Sequence, residues 1–166
     1  MSLIDLIKLQ LNQELISEAA IQLGESESNV SKALGSLFPA VLGVFAQNSK
    51  QDDVINALLE TSSLDFSENL LEKAGNSPEI ANIISKSLGE KSEHILSHVS
   101  EYANINKSSA ENLLKVATAA TLEGIKKCAH ENGLDDQGIL SKLAENRCLI
   151  PDLLPAGMSL EHLGLE

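Results

Sequence analysis

His94 and His98 stand four residues apart, with Glu90 and Glu101 close by in the chain. At about 3.6 residues per turn, two imidazoles at that spacing share one face of a helix. Two histidines and a carboxylate are a partial zinc set, because Zn2+ takes imidazole nitrogen and carboxylate oxygen in tetrahedral sites. A closed site also needs a fourth ligand and buried groups that orient the imidazoles, and the sequence fixes neither. Ile95, Leu96, Val99 and Ala103 mark the opposite, apolar face of the same segment. The histidine face is therefore expected to be solvated. No metal and no other cofactor is expected, and His94 and His98 are the residues a metal would have to use.

A second constellation begins at Ile16. The spacing Ala20, Gly24, Val30 is that of a helix, a tight glycine turn and a second helix packed across it. This is the geometry of helix-turn-helix DNA readers, in which the second helix enters the major groove. Ser28, Asn29 and Lys32 would be the nucleic-acid-facing residues. A base reader presents cationic or amide groups there, yet Glu25 and Glu27 stand in the same stretch against the one lysine. The chemistry favours a packing hairpin that shares only its geometry with DNA readers.

Cys128 lies near His130 and Glu131, with Lys126 and Lys127 before it. A nucleophilic thiol needs a base within reach and an electropositive setting. Two positions apart on a helix, the thiol and the imidazole point in different directions, so no catalytic residue is expected. No nucleophile elbow, phosphate-binding loop or dinucleotide fingerprint occurs. The acidic pairs Asp52-Asp53 and Asp135-Asp136 fall where helices start, and stabilising the helix dipole accounts for them.

The charge balance extends these exclusions. The chain of 166 residues carries 24 acids against 12 bases, a formal charge of −12. Residues 1–83 hold 12 acids and 4 bases, and residues 84–166 hold 12 and 8, so neither half offers a basic face. Phosphate backbones and anionic membrane surfaces both select Lys and Arg; nucleic acid and membrane are disfavoured as partners. Cys128 and Cys148 are too few for a disulfide framework and read as reduced thiols. No basic segment precedes an apolar run at the start, and the most apolar stretch, Leu37 to Ala46, is about half the length of a membrane span. The expectation is a soluble, cytoplasmic protein.

The elements that must position these residues are helices. Three Phe, one Tyr and no Trp leave the core to Leu, Ile, Val and Ala, and no alternating β-branched runs occur. The punctuation predicts about eight to ten short helices. Ser2 with Asp5 opens the first. Asn12 caps a second that carries Leu15, Ile16, Ala19, Ala20 and Leu23 and ends at Gly24. Ser26 or Ser28 starts a third, and Pro39, favoured in a first turn, starts a fourth through the all-apolar Leu37 to Ala46. Asp52 or Asp53 opens a fifth through Glu60. Further helices are expected from Ser67 to Ala74, stopped by Gly75, from Ser77-Pro78-Glu79 to Gly89, and from Glu90 to Ala103. Ser108 or Ser109 caps a long one to about Lys127, and Asp135 or Asp136 opens the last, to about Asn146. Residues 1–147 are expected to form a single all-helical domain. Residues 148–166, with Pro151, Pro155 and Gly157, read as an irregular tail.

A displacement of 80 residues aligns the chain with itself. Leu15-Ile16-Ser17 falls on Ile95-Leu96-Ser97, Leu34 on Leu114, Leu42 on Leu122 and Phe45 on Ile125. An internal duplication with halves 1–62 and 90–147 follows, and it would place the apolar helices Leu37 to Ala46 and Val116 to Ile125 near a pseudo-two-fold axis.

Leu3-Ile4-Asp5-Leu6-Ile7, Leu23-Gly24-Glu25-Ser26, Val30-Ser31-Lys32-Ala33-Leu34 and Leu37-Phe38-Pro39-Ala40-Val41-Leu42-Gly43 stand in the order of a known bacterial family. So do Ser108-Ser109-Ala110-Glu111-Asn112-Leu113-Leu114 and Leu154-Pro155-Ala156-Gly157-Met158. Over nearly its whole length the chain resembles the domain-of-unknown-function family 937. The resemblance implies an all-helical fold with homeodomain-like or helix-turn-helix-like hairpins. It also implies that longer relatives carry the domain ahead of an OmpA-like, peptidoglycan-binding domain. It implies no activity and no catalytic residue. The chain departs from the family at Ala119-Ala120, where the second repeat often has a proline, so a sharp break is not expected there. The function read from all this is a non-enzymatic structural or protein-interaction module with a protein partner. The edges of the Leu3 to Leu11 helix and of the Leu149 to Leu165 tail are its candidate surfaces.

Overall fold

The computed structural model describes residues 3–47, 70–87, 89 and 91–146. Among them every regular element is an α-helix: α1 (Leu3–Gln10), α2 (Gln13–Leu23), α3 (Glu27–Gln47), α4 (Leu70–Asn76), α5 (Pro78–Ser87), α6 (Lys91–Ala103), α7 (Lys107–Asn132) and α8 (Asp136–Asn146). None of these helices is long and apolar enough to cross a membrane. The fifth expected helix (52–60), the tail 148–166 and Cys148 lie outside the described residues.

Local chemistry sets most of the boundaries. Asn12 Oδ1 accepts from the Leu15 amide at 2.9 Å and opens α2, satisfying one of the donors that a helix start leaves unpaired. Ser26 does the same for α3, accepting from the Asn29 amide at 3.1 Å. Ser77 Oγ accepts from the Ile80 amide at 3.3 Å, and Asp135 Oδ1 from the Gly138 amide at 2.8 Å. Gly24 and Gly133 close α2 and α7 in the left-handed conformation, with φ of 68° and 62°.

Four boundaries differ from the sequence-based expectation. Pro39 does not start a helix; it lies inside α3, which runs unbroken from Glu27 to Gln47. A proline in a helix interior costs about 3 kcal/mol and leaves the carbonyl four residues back without its donor. Leu37, Phe38, Val41, Leu42 and Phe45 around it are all at most 5% exposed. Burial at about 1.5–3 kcal/mol per large apolar side chain outweighs the loss. Gly75 does not stop α4, which continues to Asn76 just ahead of the Ser77 cap. The long helix α7 starts one residue before Ser108, after Asn106, and extends to Asn132 rather than Lys127. Ala119 and Ala120 sit buried within it, and the helix is continuous there.

The two long helices organise the rest. α3 packs on α2, α6, α7 and α8, and α7 packs on α1, α3, α4, α5, α6 and α8. One apolar core runs from Leu3 to Leu143 and draws residues from every helix. Three of its buried hydroxyls turn back onto their own helices. Ser36 Oγ donates to the Lys32 carbonyl at 3.0 Å, Thr118 Oγ1 to Leu114 at 2.8 Å and Thr121 Oγ1 to Ala117 at 2.7 Å. Among the described residues no buried side-chain polar atom lacks a partner, as expected of a core that excludes water.

The α2–α3 and α6–α7 turns share their hydrogen bonds at the 80-residue displacement. The Glu25 amide donates to Ala20 at 3.0 Å and the Ile105 amide to Ser100 at 3.1 Å; Val30 donates to Ser26 and Ala110 to Asn106, both at 3.0 Å. Asn104, φ 56°, occupies the left-handed position that Gly24 holds in the first turn. Leu134 repeats the same bond to Ala129 at 2.9 Å outside that displacement. The turn thus reports local chemistry that the chain reuses.

Candidate interaction surface on the second helix

The residues singled out for metal chemistry lie on α6. Ile95, Leu96, Val99 and Ala103 are buried, so the opposite face turns outward, with His94 exposed and His98 half-buried. Among the described residues no group of three or more His, Cys, Asp or Glu gathers into a metal cage. His98 is engaged by a neighbour. Cys128 is 2% exposed, while His130, two positions on, is exposed. Its sulfur faces Asn132, whose Nδ2 lies 3.7 Å from Sγ and 2.9 Å from the Cys128 carbonyl. The thiol and imidazole are not brought together.

The residues singled out for nucleic-acid binding lie on α3, which packs on α2 across the Gly24 turn. Ser28 and Lys32 are exposed on the first turns of α3, and Asn29 is half-buried. Asn29 Nδ2 donates to the Asn104 carbonyl at 3.4 Å, tying α3 to the α6–α7 turn. An amide spent on the fold in this way is not held out toward a base edge.

A different feature stands on α2. Its inner face is Leu15, Ala19 and Ala20, all buried, with Ile16 and Leu23 packed partly against the core. At about 100° per residue, Ile21 falls on the side opposite that set. It is 82% exposed, against 52% for Leu9 and 38% for Tyr102, the other exposed large apolar side chains among the described residues. Glu14 and Glu18 are exposed on the same outer face. Ile21 borders a shallow, open depression completed by Ser17, Ala20, Gly24, Glu25 and Glu27. Gln13 Nε2 donates to Glu27 Oε1 at 2.9 Å and Ser17 Oγ donates to the same oxygen. These two bonds fix the start of α3 against α2 and hold the wall of the depression in place.

Sequence reasoning did not single out Ile21, though the signal was present: an isoleucine off the apolar stripe of its own helix. The surface expected on the first helix is largely spent, because Leu3, Ile4, Leu6 and Ile7 of α1 are buried. The other expected surface, the tail, lies outside the described residues.

Residues 5–128 match the sequence model of DUF937, described as a bacterial protein of unknown function. No curated protein and no solved structure matches the chain.

Proposed function

We propose that this chain, which belongs to the DUF937 family of bacterial proteins of unknown function, acts as a non-enzymatic protein-interaction module. The observation that carries the reading is Ile21, an isoleucine 82% exposed at the edge of a depression whose walls are fixed by hydrogen bonds. A scattered surface isoleucine needs no explanation. One that borders a preformed concavity offers an anchor of the kind that binds a partner side chain, because burying it there is favourable and the receiving walls need no ordering. The same reading takes a protein as the partner, works without a cofactor, and sets the molecule in the cytoplasm, where Cys128 and Cys148 stay reduced.

The test is capture from a lysate of the source bacterium on the immobilised chain, with and without nuclease, beside the Ile21→Glu variant. A protein enriched by the native chain with or without nuclease and lost with Ile21→Glu supports the module. Enrichment that disappears on nuclease treatment would transfer the function to nucleic acid and to Ser28, Asn29 and Lys32. Enrichment indifferent to Ile21 would remove this surface.

A further inference from the structure

We propose that the occupant of the Ile21 depression is a cationic amphipathic helix of a partner protein. Its apolar side chain would cover Ile21, and its Lys or Arg side chains would face Glu14, Glu18, Glu25 and Glu27. This rests on the interaction-module reading and specifies the partner's chemistry.

Charge complementarity carries the argument. From Leu9 to Ser31 the chain has four glutamates and no Lys, Arg or His, and all four belong to the outer face of α2 or to the depression. Glu14, Glu18 and Glu27 are exposed and Glu25 is half-buried. Glu27 is held by Gln13 and Ser17, both neutral, so its charge is positioned and not neutralised. Elsewhere glutamates do meet cations: Glu93 pairs with Lys107 at 2.6 Å and Glu123 with Lys126 at 2.9 Å. The outer face of α2 thus carries one apolar anchor in a uniformly negative frame.

Such a frame selects its partner by sign. An anionic or neutral apolar segment would leave carboxylates facing a like charge or losing water for nothing, while Lys and Arg gain on approach and speed encounter. Exposed ion pairs add little affinity each, so Ile21 supplies the binding and the glutamates the choice. The shape of the site favours a helix. Glu14, Glu18 and Ile21 recur at helical spacing along roughly 10 Å of α2, and a second helix laid beside them presents cations at the same rise.

The probe is a short synthetic peptide of leucine and lysine with leucine at helical spacing, beside a twin with glutamate in place of lysine. Binding is followed by amide chemical shifts of the full chain and by anisotropy at low and high salt. The lysine peptide is expected to bind with shifts concentrated over residues 14–27. Ile21→Ser should weaken it about tenfold or more. The triple variant Glu14→Gln, Glu18→Gln, Glu25→Gln should weaken it about tenfold at low salt and flatten the salt dependence. The triple variant Glu101→Gln, Glu111→Gln, Glu131→Gln changes three exposed carboxylates on α6 and α7 and should leave affinity within about twofold. Equal weakening by both triples, or shifts spread over the surface, would show unspecific attraction to an acidic protein and overturn the proposal. Equal binding of the glutamate twin would also overturn it. If Ile21-dependent capture from the lysate persists in that case, the cationic partner fails and the module stands. If that capture is also absent, both fail.

Discussion

Gly124 on α7 lies so close to Ile7 on α1 that a β-carbon on the glycine would stand 2.5 Å from Ile7 Cγ1, 3.0 Å from its amide nitrogen and 3.1 Å from its Cα. The backbone of α1 therefore rests on the bare surface of α7, and Leu3, Ile4, Leu6 and Ile7 are buried around that contact. Gly124→Ala should destabilise the chain by about 1–3 kcal/mol by overpacking, despite alanine's better helix propensity. Adding Ile7→Ala should not restore stability, because two of the three close atoms are backbone. Urea unfolding of the single and double variants measures this.

Gly35 on α3 is the counterexample. Beyond its chain neighbours and the backbone of its own helix turn, no described atom lies within 4 Å of the place its β-carbon would take. Gly35→Ala should therefore stabilise the chain by about 1 kcal/mol, the ordinary gain in a helix interior. Opposite signs for the same exchange in the two long helices would confirm that close approach, not propensity, explains Gly124. A loss at Gly35 would contradict the packing described.

The two equivalent turns differ in the residue at their left-handed position, Gly24 in one and Asn104 in the other. Gly24→Ala and Asn104→Ala should each cost about 1 kcal/mol, whereas Asn104→Gly should stay within about 0.5 kcal/mol of the native chain, since asparagine already tolerates this region. Thermal melts of the three variants would decide.

Ile21→Ser should leave stability within about 0.5 kcal/mol, as for surface changes that break no packing. This separates loss of binding from loss of folding in the capture experiments. A large drop in the unfolding midpoint would show Ile21 to be a packing residue.

Lys107 sits 2.6 Å from Glu93. That hydrogen bond, and then the charge of Glu93, hold its pKa above the ordinary lysine value, against a small opposing effect of desolvation and with help from Glu111. A raised folded-state pKa contributes stability below the unfolded lysine value, and the contribution is lost as pH rises through the raised one. Glu93→Gln should lower the Lys107 pKa, read by NMR titration, and lessen the alkaline loss of stability. Both side chains are more than half exposed, so the effect at neutral pH should be slight.

Much of the fold is legible because single residues dictate it. Asn12, Gly24, Ser77-Pro78 and Asp135 each solve a local problem of unpaired amides or backbone turning, and each acts where its chemistry predicts. The long helices are harder. Pro39 is a valid start signal locally, and only the burial of its neighbours overrules it. Ser108 and Ser109 are both valid caps by local chemistry, yet neither takes that place. The start falls after Asn106, and Ser109 is buried at 3% exposure. The Ile21 surface is legible once α2 is set in phase against Leu15 and Ala19, because only then does its isolation from the apolar stripe appear. For the other constellations, spacing alone sets Cys128 and His130 in different directions and His94 and His98 on an outward face; the burial of Cys128 and the bond from Asn29 to Asn104 depend on packing between distant segments and are not written in local spacing.

Pro39 also has a consequence for how the molecule comes apart. With no amide proton at that position, the hydrogen-bond ladder of α3 lacks one rung, and the helix stays continuous across it. The peptide spanning 27–47, cut from the protein, should hold little helix across the proline, because nucleation and propagation there both lack local support. The continuity of α3 is thus borrowed from the helices packed on it, α7 foremost. The central pair should therefore lose its protection against hydrogen exchange in one step, as a single cooperative unit.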